Sequence, residues 1–318
     1  MKVFIAGATG AMGQPLVRAL VKRGHQVTGL TRAASKRALL ESLGARAVVA
    51  DALDAEGLRR VVVDAAPTHV VHLLTALPAA GPMRERDLHA TNDLRRRGTA
   101  NLLQAAVDAH VTRLVAESFI GVYGRADFDR PRSEDDPLPP PTEGGFREAV
   151  LALRSLEEQL ASARAAGHVE TVALRFGGIY GPDVASLQAT VKMLRARRVF
   201  LPRNAGGVAT FVHVDDAAAA VIAALEHPSP GAIYNIVDDQ PMSIPAFLGI
   251  LASAVGATPP RAMPAWIFRL VAPLMAEAIA VRMPLSNAKA KRELSWHLEY
   301  PNAADGMRDV AAHLKMAA

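Results

Sequence analysis

The sequence predicts an α/β protein: a doubly wound parallel sheet covered by helices on both faces, followed by a smaller, mostly helical C-terminal lobe. Three observations point there. Short β-branched runs alternate with longer segments of helical spacing through the first half of the chain. A glycine-rich turn follows the first of those runs. After Gly181-Pro182 the runs thin out and helical segments take over. Alternation of near-continuous apolar strands with helices marks a parallel sheet buried on both sides.

The elements follow in order. Strands are expected at Lys2–Ala6, Gln26–Thr31, 45–50, 69–74 and 113–117, with a sixth at 170–175. Their runs of Val, Ile and Leu suit a pleated, two-sided burial. Helices are expected at 13–23, 35–43, Ala55–Ala65, 87–109 and 146–166, where apolar residues recur every three to four positions. Residues 121–145 carry five prolines and many acids, and read as a long surface loop of the kind that borders binding sites. Further on, helices at 184–197, 215–226 and 243–255 are separated by short strands at 209–213 and 232–237, with Asp215 and Ser243 as N-caps. The domain reading is a dinucleotide-binding unit over 1–175 and a substrate lobe over 176–318, with the segment 207–240 returning to the first unit.

Composition narrows the function. The chain has 318 residues and no cysteine, which excludes a disulfide framework, a thiolate nucleophile and a Cys-built metal site, and fits a cytoplasmic protein. The 36 Lys and Arg against 31 Asp and Glu leave a net charge of only +5. The densest basic cluster, Arg95-Arg96-Arg97, lies in a helical segment without interleaved aromatics, so it reads as a solvated face and no nucleic-acid partner is expected. The greasiest stretch, 264–281, is broken by Arg269, Pro273 and Glu277, so no membrane span is expected. The ten histidines show no metal-ligand spacing, and no metal is expected.

The turn Gly7-Ala8-Thr9-Gly10-Ala11-Met12-Gly13 stands where a phosphate cradle belongs, between the first strand and the first helix. Gly7 allows the tight turn, Gly10 lets the backbone approach a pyrophosphate, and Gly13 lets the helix pack on the strand. The helix N-terminus then offers free N–H groups to the phosphates, a Rossmann-type arrangement. An NAD site would place an acid at the end of the second strand; here Thr31-Arg32 follows, with Lys36 nearby. A guanidinium there suits a 2′-phosphate, so NADP(H) is expected over NAD(H). Asp51, at the end of the third strand, is the expected acceptor for the adenine amino group, with Ala52 and Leu53 beside the ring.

Together with Val71-His72-Leu73-Leu74, Gly98-Thr99-Ala100-Asn101, Val122-Tyr123-Gly124, Leu174-Arg175-Phe176, Tyr180-Gly181-Pro182 and Phe211-Val212-His213-Val214-Asp215-Asp216, this turn resembles the extended short-chain dehydrogenase/reductase family, the NAD-dependent epimerase/dehydratase family. The resemblance implies cofactor contacts from Thr9, Ala11 and Met12 in the turn, and from Leu73, Leu74 and Thr75 after the fourth strand. It also implies contacts from Arg154 on the long helix, and from Phe176, Gly177 and Ile179 after the sixth strand. The family works with a Ser or Thr, a Tyr and a Lys four residues after the Tyr, which exchange a proton with the substrate oxygen while hydride moves. Here the Ser/Thr position falls on Phe119, with Ser118 one residue early; the Tyr position falls on Val150 and the Lys position on Arg154. Arg154 cannot serve as acid or base. Ser118, Tyr123 and Arg154 are the candidate catalytic residues that remain.

Nucleotide-sugar members carry an Asn where this chain has Gly178, and a diphosphate-binding Arg where it has Ala209. Leu77, Met83, Phe119, Val150, Phe211, Trp266 and Met283 form the expected substrate pocket, which is apolar. The expectation is therefore an NADP(H)-dependent oxidoreductase or isomerase of a small hydrophobic carbonyl or hydroxyl compound, with a non-standard proton donor. A non-catalytic NADP(H)-binding redox sensor is the alternative reading, and a nucleotide-sugar epimerase or dehydratase a third. A homodimer through the helices at 87–109 and 146–166 is the expected assembly.

Overall fold

Alternation along the first strand sets the architecture. In the computed structural model, which describes residues 1–316 apart from 80, 142, 204 and 228–231, strand β1 (Lys2–Ala6) sends Val3 and Ile5 to one face and Phe4 and Ala6 to the other. All four are buried to within 1% of full cover. A strand apolar on both faces must lie inside a sheet with cover on each side. Strands β2 (Gln26–Thr31), β3 (Arg46–Val49), β4 (His69–His72), β5 (Arg113–Phe119), β6 (Glu170–Phe176) and later β10 (Ile233–Ile236) complete a seven-stranded sheet. Its order is β10-β6-β5-β4-β1-β2-β3, parallel throughout. The strand order reverses between β1 and β4, and that crevice is where such sheets bind ligands.

Helices α1 (Gly13–Lys22), α2 (Arg37–Ser42), α3 (Ala55–Ala65), α4 (His89–Asp93), α5 (Thr99–Asp108) and α6 (Arg147–Ala165) connect the first six strands. Leu58, Leu102 and Leu156 of α3, α5 and α6 pack with Phe4, Val70 and Leu114 on one face. Leu16 and Leu20 of α1 join Ile5, Val71 and Val115 on the other. The segment expected as one helix over 87–109 is interrupted: Leu94–Gly98 forms a single π-helical turn between α4 and α5. Such turns carry an extra residue and re-aim side chains, often beside functional sites. The basic cluster there is not a solvated face. Arg95 is buried, and Arg96 bonds to the Glu148 carboxylate at 2.8 Å; only Arg97 is exposed.

The lobe comprises β7 (Gly178–Tyr180), α7 (Ala185–Arg195), β8 (Phe200–Pro202), β9 (Phe211–His213), α8 (Val214–Glu226), α9 (Ile244–Ala254), β11 (Arg261–Met263), α10 (Ala265–Val271), α11 (Pro273–Ala280), α12 (Ala288–Glu293) and α13 (Ala303–Met316). Among the described residues, sheet in the lobe is confined to two short pairs, β7–β9 and β8–β11. Helix α8 rejoins the main sheet's core through Ala217, Val221 and Leu225. The expected class is therefore the observed one: a Rossmann-type parallel sheet and a mostly helical lobe. Trp296 anchors the junction, its indole N–H donating to the Asp216 carbonyl at 3.0 Å. Among the described residues no helix is long and apolar enough to cross a membrane.

Candidate functional site

The turn after β1 folds back on itself. Gly10 N–H donates to the Gly7 carbonyl at 3.0 Å, and the Gln14 side chain ties to the Thr9 carbonyl at 3.2 Å. Gly7 sits at φ +97°, and a Cβ there would meet the Leu73 carbonyl oxygen at 2.4 Å. A Cβ on Gly13 would lie 2.2 Å from the Gly7 carbonyl oxygen, so helix and strand meet at a distance only glycine allows. The N–H groups of Ala11, Met12 and Gly13 have no hydrogen-bond partner among the described residues. These are the orphan donors of a helix start, pre-aimed for an anion.

In front of them lies a cavity of about 520 Å³. Gly7, Thr9 and Gly10 line its floor; Thr31, Arg32 and Lys36 line the β2 end; Ala52 lies over β3; Leu73, Leu74 and Thr75 line the β4 end. Leu30, Ala33, Ala50 and Leu94 also line it, and the sequence reading passed over them. Met12 is buried beneath the turn. Asp51 is exposed and accepts from Leu53 N–H at 2.9 Å, an Asx turn that shapes the wall. Phe176 is wholly buried, and a Cβ on Gly177 would lie 2.8 Å from the Thr210 carbonyl oxygen. The cradle, the free N–H groups and a cavity lined from the β2 end to the β4 end fit a dinucleotide.

Two of the three candidate catalytic residues, Ser118 and Tyr123, belong to one buried network behind β5. Ser118 donates to the Glu157 carboxylate on α6 at 2.7 Å. Glu157 is held by Arg175 at 2.9 and 2.7 Å, and both side chains are more than nine-tenths covered. Arg175 also donates to the Tyr123 hydroxyl at 3.0 Å, and that hydroxyl donates to Asn235 at 3.1 Å. Burial holds the Tyr123 phenol above its ordinary range, against the pull of Arg175. Arg154 points at the loop: it donates to the carbonyls of Val122 and Pro139. Val150 is 1% exposed, packed inside.

A second cavity, of about 470 Å³, opens in the lobe and is mostly apolar. It gathers Met83, Ile179 and Phe211 from the sequence reading, together with Tyr180, Phe247 and Arg198. Phe211 and Phe247 stack at 4.0 Å. The other expected pocket residues are elsewhere. Trp266 is 70% exposed, Leu77 and Phe119 are exposed, and Met283 packs under the 121–145 loop beside Tyr123. Among the described residues no group of three or more His, Asp or Glu could hold a metal ion.

The model of the NAD dependent epimerase/dehydratase family matches residues 3–237. A "3-diazoavenalumate denitrifying reductase" from Streptomyces sp is 38% identical over 315 residues, 96% of this chain and 99% of that one. Among solved structures, the UDP-glucose 4-epimerase of Thermus thermophilus in complex with NAD superposes with a TM-score of 0.81 at 24% identity, covering 100% of both chains. The UDP-glucuronic acid 4-epimerase of Bacillus cereus, in complex with UDP-glucuronic acid and NAD, gives 0.80 at 20% identity, again over 100% of both.

These findings correct the reaction expected from the sequence. The solved relatives carry NAD, so the NADP(H) preference drawn from Arg32 and Lys36 is withdrawn, both for the oxidoreductase reading and for the sensor. Both side chains are exposed, and an exposed cation at a strand end is satisfied by solvent. The small hydrophobic carbonyl or hydroxyl substrate is withdrawn as well, because a solved relative holds the polar UDP-glucuronic acid. Part of the greasy set that suggested it does not converge: Val150 is core and Trp266 faces solvent.

Proposed function

The chain belongs to the NAD dependent epimerase/dehydratase family, and on that premise we propose that it is an NAD(H)-dependent oxidoreductase that reduces a polar, electrophilic small molecule without a phenolic acid. One observation carries this reading: the phosphate cradle is complete while Val150 is buried core and Arg154 is tied to backbone carbonyls. Gly7 and Gly10 give the pyrophosphate backbone contact, and the free N–H groups at the start of α1 hold its charge. Leu73 to Thr75 continue the groove toward the nicotinamide side. When bound, the nicotinamide supplies hydride.

The substrate favoured is a diazo compound, as the name of the Streptomyces relative suggests. A diazo group takes hydride at its terminal nitrogen without prior protonation, and adding one proton releases dinitrogen. A buried valine at the phenol position is compatible with that chemistry. A second reading is epimerisation of a nucleotide sugar, supported by the fold shared with UDP-sugar enzymes; on that reading Arg198, which lines the lobe cavity, would meet the diphosphate. A cytoplasmic location suits a cysteine-free chain that draws on a soluble dinucleotide pool.

The test gives the protein NADH with a diazo arene carboxylate, and separately NAD⁺ with UDP-glucose and UDP-glucuronic acid. Loss of nicotinamide fluorescence with release of dinitrogen supports the first reading, and a C4 epimer seen by NMR supports the second. Neither product, with dinucleotide bound, would sink the proposal.

A further inference from the structure

The three most exposed large apolar side chains among the described residues stand together on one short helix. Trp266, Leu270 and Val271 of α10 are 70%, 73% and 57% exposed. Phe268 of the same helix turns inward and packs with Leu201 of β8. Trp266 and Leu270 lie two residues to either side of it, about 200° around the helix, so they project away from the protein. Single exposed apolar residues are ordinary, and an adjoining set marks a contact surface. This helix begins the apolar stretch 264–281, which is too broken to span a membrane and leaves its outward side uncovered.

Around α10 the charge is of one sign. Residues 184–214 and 240–276 contain no Asp or Glu, and they carry Lys192, Arg195, Arg197, Arg198, Arg203, Arg261 and Arg269. All seven are exposed, and none has an ion pair among the described residues. The whole chain is only +5, so these two stretches hold more than its entire net charge. The acids that bracket them are turned to other partners: Asp183 to Arg18, Asp215 to His213, Asp239 to Lys291 and Glu277 to Arg125.

The fold brings the two stretches to one face. Strand β8 pairs with β11 and sets Phe200 beside Arg261, whose guanidinium lies 6.0 Å from the centre of that ring. Helix α10 starts two residues after β11 ends. The lobe cavity ties in the end of α7: Met193, Arg198, Phe200 and Val271 all line it, and all reach the surface.

We propose that this face, with α10 as its ridge, seats the protein on an anionic lipid bilayer. Trp266 and Leu270 enter the boundary between headgroups and acyl chains, where an indole is favoured. The arginines stay at the level of the lipid phosphates and donate to their oxygens. The protein then lies on the membrane without crossing it. An acidic protein would also satisfy the arginines, yet it would have to offer a hole shaped to the Trp266–Leu270 ridge; a bilayer accepts a ridge of any shape. The proposal does not depend on the reaction assigned to the dinucleotide site.

Cosedimentation of the full chain with vesicles tests it. Vesicles of phosphatidylcholine alone are compared with vesicles holding about one third phosphatidylglycerol. The protein sediments with the second kind and not the first, and raising salt from about 0.1 M to about 1 M releases most of it. Arg195→Glu with Arg197→Glu weakens binding at least about tenfold. Arg46→Glu with Arg60→Glu, an equal charge change at exposed positions on β3 and α3, leaves it within about threefold. Trp266 reports insertion, because the other tryptophan, Trp296, is buried. A blue shift and quenching by brominated lipid therefore belong to Trp266 and vanish in Trp266→Ser. No sedimentation with anionic vesicles, an equal loss in the Arg46 and Arg60 pair, or an emission that lipid leaves unchanged overturns the assignment. Self-association without lipid that Trp266→Ser abolishes overturns it too, since a second copy then covers the ridge.

Discussion

Replacing Arg175 with Met removes the cation at the centre of the network behind β5. Arg175 makes two bonds to Glu157, at 2.9 and 2.7 Å, and both side chains are less than 8% exposed. The variant leaves the Glu157 carboxylate with the Ser118 hydroxyl alone, and takes from the Tyr123 hydroxyl a donor at 3.0 Å. Breaking a buried pair from one side costs about 3–5 kcal/mol, because the remaining charge stays desolvated. Removing both partners, as Arg175→Met with Glu157→Gln, leaves no orphan charge and should cost less than Arg175→Met alone. Urea unfolding of wild type, the two single variants and the double variant measures this as a double-mutant cycle. A loss under about 1 kcal/mol for Arg175→Met, or strict additivity in the cycle, would refute the reasoning. The same network fixes β5 and the Tyr123 turn beside the dinucleotide crevice, so the single variant should also weaken NADH binding.

Three further outcomes are expected. Gly13→Ala places a Cβ 2.2 Å from the Gly7 carbonyl oxygen, so NADH affinity measured by fluorescence should fall at least about tenfold. Arg154→Ala frees the Val122 and Pro139 carbonyls, and limited proteolysis should cut the 121–145 loop faster while NADH affinity holds. Burial raises the Asp238 carboxyl to about 8. The folded state then binds more protons than the unfolded chain between the ordinary Asp range and about pH 8, so this group's contribution to stability is lost as pH rises across that window. Asp238→Asn should flatten that slope and gain at least about 1 kcal/mol at pH 8, as read by chemical unfolding.

The parallel sheet was legible because burial on both faces demands unbroken apolar runs, and Val3 to Ala6 or Leu114 to Ala116 can mean little else. The cradle was legible because its requirement is steric: Gly7 and Gly13 leave no room for a Cβ. The remainder depends on what faces what. Arg95 sits in a row of three arginines, and only the π turn separates the buried member from the exposed one. Ser118 and Tyr123 were findable by motif, yet their partners Glu157 and Asn235 lie 39 and 112 residues away in sequence. Arg32 looked selective from its neighbours alone, and the NAD held by the solved relatives removes that inference.

The fate of the hydride tests the proposed reduction most directly. NADH carrying deuterium on one face of the nicotinamide C4 carbon would be incubated with the protein and a diazo arene carboxylate, and the recovered NAD⁺ read by mass spectrometry. The account predicts that the NAD⁺ loses its deuterium when one face carries the label and keeps it when the other does, with one dinitrogen released per dinucleotide oxidised. Loss of label without regard to face, or no oxidation while dinucleotide is bound, would contradict it.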